Sequence, residues 1–90
     1  MTSAVKEKQT VKKTYHNWNV ILHNDDVNDI RHVVESLCVV VGIDFEKAKG
    51  HAIEAHETGK SIVKSCNKEH AEFYKQGLTD KGLTATMEQA

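Results

Sequence analysis

Four polar residues in a row, His23-Asn24-Asp25-Asp26, follow directly on the apolar run Val20-Ile21-Leu22. An amide and two carboxylates set this tightly after a strand have two uses. The local one is capping, in which Asn and Asp oxygens accept from the free N–H groups of a helix's first turn. The other is recognition, and it needs a second contributor. His56, at the head of His56-Glu57-Thr58-Gly59-Lys60, is one if the helix carrying it packs beside the strand. An amide oxygen, a carboxylate and a neutral imidazole nitrogen would then present three acceptors. A primary ammonium carries three N–H donors in a tetrahedral fan, and a peptide α-amino group, with an ordinary pKa of about 7.7–8.0, is mostly that cation at neutral pH. The pattern suits capture of a free peptide N-terminus. From these residues alone capping and capture both stand, and they are compatible: Asp26 or Asn28 can start the helix while Asn24 faces a ligand.

Other chemistries find less support. His51 and His56 are five apart, which does not match the i, i+4 pairing of a helical zinc site, and there is no HExxH. Cys38 and Cys66 lack CxxC partners and read as reduced thiols, Cys38 within an apolar helical pattern. No metal or cofactor is expected. Gly59-Lys60 lacks the earlier glycine of a phosphate loop and reads as a helix stop. His23 and His32 read as surface or boundary residues. No serine or cysteine has a recognisable base partner, so no catalytic residue is assigned and the chain is not read as an enzyme.

Thirteen acidic against twelve basic residues leave a formal net charge of −1, which draws in neither nucleic acid nor an anionic membrane. No apolar run approaches the ~20 residues of a membrane span, and the N-terminus lacks the apolar region of a secretory signal. The expected setting is the cytoplasm, or the plastid stroma if a transit peptide has been removed.

Several elements must position the polar cluster. Ninety residues make one domain. Residues 1–14 are too polar to order themselves and are expected to form a flexible tail, leaving 15–90 as the folded domain. Trp18, Val20 and Leu22 alternate with Asn19, Ile21 and His23 as a strand. Ile30, Val33, Val34, Leu37, Cys38 and Val41 recur at helical spacing up to Gly42, although Val39-Val40-Val41 weakens the last turn. Asp44 caps a second helix with Phe45, Ala48, Ala52, Ala55 and His56 inward and Gly59 as its stop. Lys60 to Cys66 is a short strand. Asn67 caps a third helix, with Ala71, Tyr74 and Leu78 inward, which Gly82 ends, and Leu83 to Met87 alternates as a closing strand. The order β-α-α-β-α-β predicts an α+β domain: a three-stranded antiparallel sheet with helices on one face.

Asn24-Asp25-Asp26 after Val20-Ile21-Leu22, with a helix opening at Ile30, resembles the ClpS adaptor family. His56 to Lys60 resembles that family's His-x-x-Gly-Lys signature, and the closing strand Gly82-Leu83-Thr84-Ala85-Thr86 also fits. The resemblance covers residues 15–90. It implies a small α+β adaptor that binds destabilising N-terminal residues (N-degrons) and hands their proteins to a ClpA- or ClpC-type AAA+ unfoldase for degradation by Clp protease. By motif position, Asn24, Asp26 and His56 would contact the α-amino group with Asp25 beside them. Leu22, Asn28, Ile30, Val33, Ala52, Ala55 and Leu83 would line the pocket for the first side chain, which is to be large and hydrophobic. Glu69 falls where the family has an acidic unfoldase contact, and Tyr74 where it often has lysine. The tail would be engaged by the unfoldase, and the adaptor is expected to be a monomer. Asn28-Asp29-Ile30 replaces a usual Thr-Pro-Met. Many bacterial members carry a gatekeeper methionine where this chain has Ala52, so a wider pocket mouth is expected, admitting side chains branched at Cβ. The short third helix and the closing strand look like cyanobacterial or plastid members. The rival reading is a protein-interaction domain that docks to a AAA+ or ribosomal partner, its Asn24–Asp26 cluster merely a cap.

Overall fold

Strand β1 (Trp18–His23) occupies the centre of the sheet, antiparallel to β2 (Lys60–Cys66) on one side and β3 (Thr84–Gln89) on the other. The structure, a computed structural model, describes residues 17–90; the tail expected at residues 1–14 lies outside them. Leu22 stands opposite Ser61 and Ala85, and Val20 opposite Lys64 and Met87. Opposed residues share a face, and this face is the buried one: Val20 is 0 % and Leu22 2 % exposed. An irregularity between Val20 and Ile21 shifts the pairing with β2, so that Ile21 meets Ile62. The sequence pattern contains no sign of that shift.

Three helices complete the β-α-α-β-α-β order: α1 (Ile30–Val41), α2 (Phe45–Thr58) and α3 (Lys68–Asp80). Each opens on a side-chain cap that accepts the N–H three residues on: Asp29 from His32 at 2.9 Å, Asp44 from Lys47 at 2.8 Å and Asn67 from His70 at 2.8 Å. The first cap is therefore Asp29, not Asp26 or Asn28. In a run of five Asn and Asp within six residues, only the backbone path decides which one caps. The β-branched turn Val39–Val41 stays helical because Val41 is buried, and packing outweighs its weak propensity.

Val20, Leu22, Leu37 and Leu78 are the largest fully buried side chains and form the centre of the core between sheet and helices. α1 packs on both α2 and α3. The approach to α3 is close, since a Cβ at Gly77 would stand 2.6 Å from Val40 Cγ1. α2 buries only a narrow face of Ala48, Ala52 and Ala55. Phe45 and His56 were expected on that face and are both exposed, Phe45 by 57 %. Phe45 is the first helical residue, and helical side chains lean toward the N-terminus, so its ring projects off the end of the helix. His56 is rotated about 100° from Ala55 and stands at the edge of the buried stripe.

Candidate functional site

Where β1 ends, the chain turns through residues 24–29 into α1, and these segments close with the second half of α2 around a cavity of about 440 Å³. That is within the ~300–1,000 Å³ of small-ligand pockets. Leu22, Ile30, Val33, Ala52 and Ala55 give it apolar walls. His23, Asn24, Asp25, Asp26, Asn28, Asp29 and His56 give it a polar side. The meeting of Asn24 and Asp26 with His56 has a local cause. α2 stops at Gly59, whose φ of 102° a side-chain-bearing residue rarely adopts. Its carbonyl accepts the Asn24 N–H at 3.0 Å, so the strand exit is tied to the helix end three residues beyond His56.

The loop is held from inside. Asp25 Oδ1 accepts from the backbone N–H groups of Val27 (3.0 Å) and Asn28 (2.9 Å). The Asn28 side-chain amide donates to Asp25 (3.1 Å to Oδ2) and to the Gly82 carbonyl (2.8 Å). His32 Nε2 lies 2.7 Å from the Lys81 carbonyl; a carbonyl only accepts, so this nitrogen carries a proton. Two side chains thus staple the loop and α1 to the turn between α3 and β3. The Asn28 N–H, foremost, holds the Asp25 carboxyl below its usual range; burial opposes it, and the Asn28 side chain, the Val27 N–H and nearby His32 add to it. By contrast, the side chains of Asn24, Asp26 and His56 are exposed, and none is hydrogen-bonded to another described residue. Among the described residues these acceptors have no partner.

The wall has its own clamp. Ser61, 2 % exposed, donates to Glu54 Oε1 and accepts from His51 Nδ1 at 2.8 Å. His51 and Glu54 immediately precede Ala52 and Ala55, so this chain of bonds fixes the alanine wall to β2. Among the described residues, no three His, Cys, Asp or Glu side chains gather as metal ligands.

Six of the seven expected pocket residues line the cavity. Leu83 does not: it is 4 % exposed and belongs to the core. His23 and Asp29 line it without having been assigned to it; both flank the residues that were, which was the available signal. Ala52 is 4 % exposed whereas Ile30 is 51 % exposed. Both line the cavity, Ile30 on its more exposed side and Ala52 on its more buried side. Glu69 is exposed in the first turn of α3. Tyr74 is half-buried, edge-on to Phe73 at 5.7 Å and beneath the Lys64 ammonium at 5.9 Å. Neither lines the cavity.

The family model for the ATP-dependent Clp protease adaptor protein ClpS matches residues 13–86. The chain belongs to the ClpS family. Among ClpS adapters, that of Synechococcus sp. (strain CC9902) is 39 % identical over 84 residues, covering 92 % of this chain and 81 % of its own. That of Gloeobacter violaceus is 35 % identical over 88 residues, covering 97 % and 95 %. The chloroplastic CLPS1 of Chlamydomonas reinhardtii is 43 % identical over 72 residues, which is 79 % of this chain and 44 % of that longer one. The fold is shared with Agrobacterium tumefaciens ClpS2 bound to L-phenylalaninamide, at a TM-score of 0.74 and 22 % identity over 84 % of this chain and 99 % of that one. Within the ClpS family the role is that of a Clp protease adaptor. Among the described residues no helix is long and apolar enough to cross a membrane.

Proposed function

We propose that this ClpS-family adaptor captures proteins through a free N-terminal residue with a large hydrophobic side chain and passes them to a ClpA- or ClpC-type AAA+ unfoldase. The observation that carries this reading is the pairing of three exposed acceptors, on Asn24, Asp26 and His56, with an apolar cavity directly behind them. The Agrobacterium relative's ligand has the matching chemistry: an amino-acid amide combines an α-ammonium group with a side chain, as the first residue of a peptide does.

In this reading Asn24, Asp26 and His56 hold the ammonium, with Asp25 shaping their loop. The side chain enters between Leu22, Ile30, Val33, Ala52 and Ala55. Burying it is worth about 1.5–3 kcal/mol and each charge-assisted hydrogen bond about 1.5–3 kcal/mol at most. Less the costs of association, this is micromolar-class recognition. The depth opened by Ala52 and the β-branched Ile30 at the rim favour long flat side chains, Trp, Phe and Tyr, over Ile and Val. The exposed start of α3, with Glu69 and the Tyr74 region, serves as the unfoldase contact, and the adaptor works as a monomer in cytoplasm or plastid stroma.

The test is anisotropy binding of a Phe-first peptide to the wild type, His56→Ala and Asp26→Ala. Each variant is expected to lose affinity by about tenfold or more. Unchanged affinity in both would refute the site.

A further inference from the structure

Val27 is the most exposed large hydrophobic residue among those described, at 89 %, yet it sits in a loop held by several hydrogen bonds. A lone exposed valine is ordinary. This one is held out: its N–H is bound by Asp25 at 3.0 Å, and Asn28 after it is fixed both to Asp25 and to the Gly82 carbonyl at 2.8 Å. Its sequence neighbours Asp26 and Asn28 both line the cavity, as does Ile30, half exposed at the rim. Apolar surface is thus presented outside the cavity as well as within it, on a turn already ordered before any ligand arrives.

We propose that Val27, with the exposed part of Ile30, forms a subsite for the side chain of the second residue of the bound peptide, and that this subsite prefers an aliphatic side chain. The proposal rests on the reading of the cavity as an N-terminal residue pocket. With the ammonium held at Asp26 and the first side chain inside, the second Cα lies one step of about 3.8 Å away. Side chains of an extended chain alternate, so the second side chain stands at the rim and not in the cavity. The loop pays little ordering entropy for this contact because its bonds are already made.

The experiment measures four peptides identical beyond the second position: Phe-Leu and Phe-Ser, each free and N-acetylated, on the wild type, Val27→Ser and Val27→Thr. The wild type is expected to bind free Phe-Leu about three- to fivefold more tightly than free Phe-Ser, the yield of partly burying one aliphatic side chain. Val27→Ser should bring that ratio close to one, and Val27→Thr, which keeps the branched shape and one methyl, should fall between. Unfolding midpoints show that the variants fold, as expected for a side chain this exposed. Equal affinity for Leu and Ser in the wild type, or a ratio that survives Val27→Ser, overturns the subsite while acetyl-sensitive binding upholds the pocket. Binding that ignores acetylation overturns both.

Discussion

The two sides of the cavity are built on different physics. The mouth, residues 24–29 with His56, is specified by directional bonds: Asn24 to the Gly59 carbonyl, Asp25 to two backbone N–H groups, Asn28 to the Gly82 carbonyl. The wall, Leu22, Val33, Ala52 and Ala55, is specified by volume, and its two alanines leave the space that makes a cavity. On the proposed reading, the acceptors carried by the mouth decide whether an N-terminus is held at all. On the same reading, the size of the wall decides which one. Selectivity and affinity should therefore be separable by mutation.

The largest effect is expected at the mouth. His56→Ala should weaken Phe-, Trp- and Leu-first peptides about equally, by roughly tenfold or more, because the ammonium is common to all. Uneven losses across the three would join the two sides into one and break the contrast.

Ala52→Met tests the wall. Its longer side chain fills the inner cavity, and overpacking of this kind is worth about 1–3 kcal/mol. Trp-first peptides should lose most and Leu-first least, with acetyl-sensitivity intact. Equal losses for both would place residue 52 outside the wall.

Acid titration sharpens the loop's role. The Asp25 carboxyl is depressed in the folded chain, chiefly by the Asn28 N–H. Its stabilisation is therefore complete above the ordinary Asp range and is lost as pH falls through the lower folded value. Asp25→Asn should flatten the acid limb of a stability-versus-pH curve; an unchanged limb would show the carboxylate contributes nothing there.

The smallest effect lies away from the cavity. Ser36 is 2 % exposed, and its hydroxyl is buried without a hydrogen-bond partner among the described residues. Ser36→Ala should stabilise the fold by about 1 kcal/mol, visible as a higher unfolding midpoint, with peptide affinity unchanged.

The same contrast runs through what could be read in advance. Alternation in β1, the spacing of α1 and the caps Asp44 and Asn67 were legible because each is a local signal with one strong candidate. The capping residue of α1 was not, since Asn24, Asp25, Asp26, Asn28 and Asp29 have the same chemistry and only the turn geometry separates them. Wall residues followed from the family resemblance, but burial did not: Leu83 reads as wall and is core, while Ala52 lines the cavity and is nearly buried. Phe45 failed for a plainer reason: as the helix's first residue it has the right spacing, but its ring projects off the helix end and stays 57 % exposed.

The central claim is that a free ammonium is what the mouth reads. Its most direct test compares the affinity of one Phe-first peptide with that of its N-acetylated twin, which keeps the aromatic side chain and loses the charge and the donor fan. Binding of the free peptide at micromolar concentration, with the acetylated form weakened beyond about a hundredfold, is the result expected. Comparable affinities would mean that Asn24, Asp26 and His56 do not hold an N-terminus.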